Sequence, residues 1–192
     1  MEGFEHVVKV AMELENLIVT SNMKFPVSKR TRKKDREETQ THGYEIDLVG
    51  ARRDKLVLAS VKSYFGSKGV SRRHFKGLDE RSTSANLSGQ KFFNDEVIRQ
   101  GVINKAAELL GYDENQIELR LYVGKFASEA DKTDIVNHLG QLHTASGPVK
   151  VIDVETLIDQ VMSVVKSKTY INDPIISLLK AMKQAGKLQL GD

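Results

Sequence analysis

Residues 44–62 constrain the fold more than any other part of the chain. Two apolar segments, 44–50 and 55–62, are separated by the short polar turn Arg52-Arg53-Asp54. Both segments are rich in aliphatic and β-branched residues, which favour strands, and a connection of this length joins adjacent antiparallel strands. The sequence therefore predicts a β-hairpin here.

Helical and strand patterns alternate along the rest of the chain. Apolar residues at helical spacing predict an amphipathic helix from residue 3 to about 18, and "IVTSNMKFPV" predicts a strand that ends near Pro26. Residues 28–42 contain no apolar side chain and are predicted to be a solvated loop. Further along, we expect an irregular excursion at 63–91, a helix at 91–110 that stops at Gly111, a strand at 117–126, a helix at 128–142, a short strand at 149–153, a helix at 153–167 and a last helix from Pro174 to about Ala185. This order favours an α/β sandwich with a mixed sheet.

Length and composition limit the class of protein. A chain of 192 residues is long enough for one domain with a substantial core, so we expect a single domain over residues 1–192. The chain has no cysteine, which excludes disulfides, thiolate metal sites and a cysteine nucleophile and favours a cytoplasmic location. No window has the roughly 20 apolar residues of a membrane span. The net charge of +3 permits an acidic partner without requiring one.

The polar residues of the hairpin suggest a catalytic site. Side chains alternate along a strand, so Glu45 and Asp47 are predicted to share one face while Ile46 and Leu48 share the other, and Ser60 and Lys62 share a face of the second strand. If the two polar faces coincide, the acids, the hydroxyl and the ammonium converge. Carboxylates are preferred ligands of Mg²⁺, which can hold a phosphodiester and acidify a bound water, and a lysine can orient that water or stabilise the developing charge.

The stretch "GYEIDLVGARRDKLVLASVKS" resembles the PD-(D/E)xK nuclease superfamily, which includes restriction endonucleases and Holliday-junction resolvases. Asp47 matches the metal-binding aspartate of the first motif, Glu45 the glutamate of its G-E-I-D variant and Lys62 the motif lysine. The resemblance implies a restriction-endonuclease-like three-layer sandwich with a central mixed sheet flanked by helices. It further implies a core over about residues 3–125, a C-terminal helical extension over about 153–192, and Mg²⁺ (or Mn²⁺) as cofactor.

One position departs from the family pattern, because Ser60 stands where the second acid is expected. Glu45 is one substitute for that acid, since it lies on the same strand as Asp47. Some restriction enzymes with S-V-K here supply the acid from a later helix, and Glu80, which follows Arg72 and Arg73, is a similar candidate. Resolvase-like members add a glutamate from the first helix, and Glu5 matches that position most closely.

Two basic segments are candidates for contact with DNA. Such runs usually form solvated loops, but next to the hairpin they could follow a phosphate backbone. The first segment contributes Lys29, Arg30, Arg32, Lys33, Lys34 and Arg36, and the second contributes Arg72 and Arg73. The glycines do not form a phosphate-binding G-x-x-x-x-G-K-[ST] loop, so no nucleotide cofactor is expected.

The sequence thus predicts a metal-dependent DNA endonuclease that acts as a homodimer, with Asp47 and Lys62 at its centre. The alternative is a nuclease-fold DNA-binding protein that Ser60 has made inactive. A third hypothesis is an interaction or toxin-related module that keeps the fold and does not bind nucleic acid.

Overall fold

A five-stranded mixed sheet forms the central layer of the structure, with helices packed on both of its faces. The computed structural model describes residues 2–33 and 36–188, and for residues 31–33 and 36–38 it describes the backbone alone. The helices are α1 (Gly3–Leu14), α2 (Ser84–Ser88), α3 (Lys91–Asn94), α4 (Glu96–Leu110), α5 (Glu129–Gly140), α6 (Val154–Lys166) and α7 (Pro174–Gln184), with 3₁₀ turns at Arg72–His74 and Glu114–Gln116. The strands are β1 (Ile18–Lys33), β2 (Arg36–Arg52), β3 (Lys55–Lys62), β4 (Ile117–Val123), β5 (His143–Thr144), β6 (Gly147–Pro148) and β7 (Lys150–Asp153).

The strand order β1-β2-β3-β4-β7 places β3 at the centre of the sheet. β1, β2 and β3 pair antiparallel, whereas β3, β4 and β7 pair parallel through helical connections. The predicted hairpin is confirmed, since Leu48 pairs with Ala59 and Arg52 with Lys55 across β2 and β3.

Two apolar cores lie on opposite faces of the sheet. On one face, Leu56 and Leu58 of β3 pack with residues of α4 and α5, and we call this the α4 core. On the other face, Val57 and Ala59 pack with α1 and α6, and we call this the α1 core. Because neighbouring residues of β3 point to opposite cores, the strand is buried on both faces. The predicted three-layer α/β sandwich is confirmed.

The β1–β2 hairpin is much longer than predicted. We expected a solvated loop at residues 28–42, but β1 extends to Lys33 and β2 starts at Arg36, with Lys29 paired to Gln40. The loop prediction is therefore wrong. We predicted a loop because these residues include no apolar side chain. A projecting two-stranded ribbon, however, exposes both of its faces to solvent and is held together by backbone hydrogen bonds between its strands. Lys34, which we assigned to this segment, lies outside the described residues.

The alternation of side chains along β2 breaks at Asp47. Ile46 lies in the α4 core and Leu48 in the α1 core, so our prediction that these two residues share a face is wrong. In the neighbouring strand β1, the side chains also switch from one face of the sheet to the other, beside Asp47. The switch occurs at Asn22, which has a φ of 57°. Asparagine tolerates this left-handed conformation better than most residues. Asp47 therefore lies at a twist of the hairpin rather than on a regular strand.

The other predicted elements are confirmed with small changes in their bounds. The helix expected at 91–110 is divided into α3 and α4 at Asp95, whose side chain caps α4 by accepting hydrogen bonds from the backbone N–H groups of Val97 and Ile98. Gly111 ends α4 with a φ of 74°, a conformation that glycine adopts without strain. In the described part of the chain, no helix is long and apolar enough to span a lipid bilayer.

Candidate functional site

Asp47 is held by three donors from the end of β3. Its Oδ2 atom accepts hydrogen bonds from the Ser60 hydroxyl at 3.1 Å, from the Val61 backbone N–H at 2.6 Å and from the Lys62 ammonium at 3.5 Å. The side chains of Asp47 and Lys62 are 25% and 22% exposed. The fold therefore brings together Asp47, Ser60 and Lys62, and leaves the carboxylate and the ammonium within reach of a ligand.

An open cavity of about 250 Å³ adjoins this pair, and we call it the acidic cavity. Its lining consists of Glu2, Phe4, Glu5, Asp47, Val61, Lys62, Ser63 and Tyr64. Glu5 reaches it from the first turn of α1, where its carboxylate also accepts a hydrogen bond from the Glu2 N–H at 3.2 Å. The structure thus places the predicted residue Glu5 in one cavity with Asp47 and Lys62. Three carboxylates against one ammonium make this cavity attractive to cations.

A smaller cavity of about 60 Å³ is also bordered by Asp47 and Lys62, and we call it the Gln90 cavity. Its lining consists of Tyr44, Glu45, Ile46, Asp47, Ser60, Lys62, Gly89, Gln90 and Phe92. Gln90 is 2% exposed, and neither its amide oxygen nor its amide nitrogen has a hydrogen-bond partner in the part of the chain that is described. We did not predict a role for Gln90, and no sequence pattern singles it out.

Tyr44 forms part of the wall of the Gln90 cavity. Its ring stacks on Phe92 with the centroids 6.0 Å apart. Burial, assisted by the charge of Asp47, raises the pKa of Tyr44 to about 12. The phenol therefore stays protonated at neutral pH.

The other two predicted acids, Glu45 and Glu80, do not line the acidic cavity. The Glu45 carboxylate lies 3.5 Å from the Lys24 ammonium of β1. Glu45 also lines the Gln90 cavity. The twist at Asp47 explains why Glu45 does not line the acidic cavity, because it removes the shared face that we predicted for Glu45 and Asp47. Glu80 is exposed and lines neither cavity.

The donor set does not resemble a cage of acids. Among the described residues, no group of three or more His, Asp or Glu side chains is arranged to hold a metal ion. Mg²⁺, however, keeps several waters and is commonly bound through one or two carboxylates together with substrate phosphates. The oxygen atoms of Asp47 and Glu5 fit that second kind of site.

The predicted DNA-contacting residues of the first basic segment, at positions 29–36, differ in their surroundings. Lys29 forms an ion pair with Asp95, the residue that caps α4, whereas Arg30 is exposed. Arg32, Lys33 and Arg36 belong to the ends of β1 and β2, where only the backbone is described. The structure therefore gives Lys29 a partner within the protein and leaves Arg30 at the surface.

The second basic segment lines a cavity of about 590 Å³, which we call the basic cavity. Arg72 lies 3.1 Å from Asp134, and Arg73 lies 3.5 Å from Asp79. Lys68 and Arg81 also line this cavity. Tyr64 lines both the basic and the acidic cavity and stacks on His74 with the ring centroids 5.8 Å apart. The two cavities are therefore neighbours that share an aromatic wall.

No model of a known protein family and no curated protein matches this chain. A search of solved structures finds a similarity to the crystal structure of a protein of unknown function, AF1548. The TM-score is 0.37 and the sequence identity 12%, and the match covers 95% of this chain and 77% of the other. A similarity of this size does not establish a common fold or function.

Proposed function

We propose that this protein is a metal-dependent DNA endonuclease that hydrolyses phosphodiester bonds. The observation that carries the proposal is the pair of Asp47 and Lys62, 3.5 Å apart, at the border of the acidic cavity that also contains Glu5. A carboxylate that can hold a hard cation, with an ammonium beside it, is a combination of residues suited to metal-dependent phosphodiester hydrolysis.

Asp47 is the residue that would hold Mg²⁺ or Mn²⁺ directly. All three hydrogen bonds to its carboxylate from the described residues reach Oδ2, so Oδ1 is available as a ligand. Glu5, across the acidic cavity, would accept hydrogen bonds from water on the cation. When bound, the cation lowers the pKa of a coordinated water and neutralises charge on the phosphate.

Lys62 has two roles in the proposed site. Its ammonium keeps the Asp47 carboxylate in place. It can also donate a hydrogen bond to an oxygen of the scissile phosphate, where negative charge increases in the transition state. Because its side chain is 22% exposed, Lys62 is accessible to a substrate in the acidic cavity.

The basic cavity is the proposed path of the DNA strand next to the site. Lys68, Arg73 and Arg81 line it, and a phosphate there would compete with Asp79, which pairs with both arginines. Tyr64 connects this cavity with the acidic cavity. Aromatic and arginine side chains in such a channel bind bases and backbone without reading sequence. We expect a homodimer, since cutting both strands of a duplex takes two such sites.

Cleavage of supercoiled plasmid and of a branched duplex in Mg²⁺ or Mn²⁺ tests the proposal. We expect the wild-type protein to nick or linearise DNA, and Asp47→Ala and Lys62→Ala to be inactive while still folded by circular dichroism. Asp54→Ala is the matched control, because Asp54 lies in the exposed turn between β2 and β3. Cleavage that survives both substitutions would refute the assignment of the site.

A nuclease-fold DNA-binding protein without cleavage activity is the second candidate. Two observations favour it: Ser60 occupies the place of the second acid, and the Asp47 carboxylate is already bound by three protein donors. Salt-sensitive DNA binding without cleavage in any divalent cation would select this candidate. Absence of both binding and cleavage would reject the two together.

A further inference from the structure

The side chain of Gln90 is buried without a partner. It is 2% exposed, and both polar atoms of its amide lack hydrogen bonds to the described residues. Leaving a buried polar group unpaired costs about 1–3 kcal/mol, so almost all such groups in proteins are paired or have a ligand or water beside them. The Gln90 amide is therefore available to bind a ligand or a water in this cavity.

The backbone fixes Gln90 in its position. Its N–H donates to the Leu87 carbonyl at 3.1 Å, and its carbonyl accepts from the N–H groups of Phe93 at 3.0 Å and Asn94 at 2.9 Å. Phe92 and Phe93, which follow it, are buried in the α4 core. The side chain thus projects from a rigid segment, which suits a residue that has to hold a ligand at a defined place.

The neighbours of Gln90 identify the class of ligand. Asp47, Ser60 and Lys62 also line the Gln90 cavity. The Ser60 hydroxyl and the Lys62 ammonium both donate hydrogen bonds to Asp47. Besides the Tyr44 phenol and Glu45, which pairs with Lys24, the cavity offers a ligand the second oxygen of Asp47 and the amide oxygen of Gln90. One carboxylate oxygen and one amide oxygen are hard ligands of the kind that bind Mg²⁺ and Mn²⁺.

We propose that the Gln90 amide oxygen is a second, neutral ligand of the divalent cation that Asp47 holds, in place of the acid that position 60 lacks. This inference rests on the proposed function. A site with one charged and one neutral protein ligand binds the free cation weakly and binds it better once a phosphate contributes further oxygens. The cation would then be recruited together with the DNA.

Binding of the cation without DNA tests this inference directly. In the full-length wild-type protein, titration with Mg²⁺ should shift the side-chain amide signals of Gln90 in ¹⁵N-correlated NMR spectra, while those of the exposed Gln184 stay in place. The shift should be lost in Asp47→Ala. By calorimetry or electron paramagnetic resonance, Gln90→Ala should weaken Mn²⁺ binding by at least about tenfold.

A change of charge provides the matched comparison. Gln90→Glu should tighten Mn²⁺ binding by at least about tenfold, whereas Ser88→Glu, which adds the same charge on the exposed surface of α2, should leave it nearly unchanged. Equal effects of these two variants would mean that charge alone acts, and would overturn the assignment of Gln90.

The outcomes separate this inference from the proposed function. If Asp47→Ala abolishes Mn²⁺ binding but the Gln90 signals do not respond and Gln90→Ala binds normally, Gln90 is not a ligand and its cavity holds water only, while the endonuclease proposal stands. If Asp47→Ala binds Mn²⁺ like the wild type, the cation site of the endonuclease is wrong, and the assignment of Gln90 fails with it.

Discussion

The Ser60 hydroxyl donates a hydrogen bond of 3.1 Å to the Oδ2 atom of Asp47. Ser60 stands at the position where we expected a second acid from the motif, and the hydrogen bond gives it a different role. An acid at this position would repel Asp47, whereas the hydroxyl fixes the carboxylate from the neighbouring strand. Ser60 is thus a positioning residue for Asp47 in the proposed site.

Ser60→Ala should lower the free energy of unfolding by about 1–2 kcal/mol, because a hydrogen bond to a charged group is lost in a largely buried place. Urea unfolding measures the change. Ser63→Ala is the control, since the one hydrogen bond of the Ser63 hydroxyl to a described residue is an exposed contact of 3.5 Å with Glu2. Its effect on the free energy of unfolding should stay within about 0.5 kcal/mol. Equal free energies of unfolding for the two variants would show that the Ser60 hydrogen bond does not stabilise the fold.

Lys62→Gln should separate catalysis from binding. In the proposed site the ammonium acts on the reacting phosphate, so its loss should slow cleavage by at least about 100-fold while the affinity for DNA changes little. Single-turnover cleavage and fluorescence anisotropy measure the two quantities. Lys24→Gln removes a charge that pairs with Glu45 outside the site and should cleave at the wild-type rate. A Lys62→Gln protein that cleaves normally would exclude Lys62 from the chemistry.

Two adjacent cations on β1 should have different effects. Lys29 is paired with Asp95, whereas Arg30 is exposed. Lys29→Ala should therefore reduce stability by up to about 1 kcal/mol and leave the salt dependence of DNA binding unchanged. Arg30→Ala should keep its stability and reduce the slope of log affinity against log salt by about 1. The reverse pattern would show that Lys29, and not Arg30, contacts the DNA.

A buried ionic network on β4 should make stability depend on pH. The Arg120 guanidinium contacts both Glu15 and Glu118, and Lys150 also pairs with Glu118. Burial opposes ionisation of Glu118, but the hydrogen bond from Lys150 and the charge of Arg120 outweigh it and lower the pKa of this carboxyl from 4.5 to about 2. Glu118 therefore stabilises the fold fully above pH 4.5, and this contribution falls as the pH drops towards 2.

Urea unfolding at several pH values measures this effect. The wild-type free energy of unfolding should fall between pH 4.5 and 2, and Glu118→Gln should show a shallower fall, because the amide does not titrate. The control is Glu114→Gln at an exposed position, which should follow the wild type. Parallel curves for wild type and Glu118→Gln would contradict the linkage.

The sequence predicts most of the architecture, because periodic apolar residues decide it. The stripe of α1 and the apolar residues of β3 pack in the cores, and the proximity of Asp47 to Lys62 follows from the short turn between β2 and β3. Residues of this kind are placed by local pattern and short connections. Glu5, by contrast, is predicted only from the resemblance to resolvase-like nucleases, which add a glutamate from the first helix.

Other parts of the site depend on tertiary structure that has no local signal. The twist at Asn22 and Asp47 sends Ile46 and Leu48 to opposite cores, although strict alternation would place them together. Gln90 lines the same cavity as Asp47 because Phe92 and Phe93, which follow it, are packed in the α4 core. The ribbon formed by residues 28–33 and 36–42 is stabilised by cross-strand backbone pairing, which hydrophobic patterns do not reveal.

The central claim is that Asp47 holds a divalent cation that is needed for DNA cleavage. Its most direct test is the rate of single-turnover cleavage by the wild-type protein and by Asp47→Asn, measured with Mg²⁺ and with a chelator. Asparagine keeps the shape of aspartate and removes the charge that would hold the cation. We expect Mg²⁺-dependent cleavage by the wild type and a rate at least about 100-fold lower for Asp47→Asn, equal to that of the wild type with chelator. Cleavage by Asp47→Asn at the wild-type rate, or cleavage that persists without divalent cations, would contradict the account.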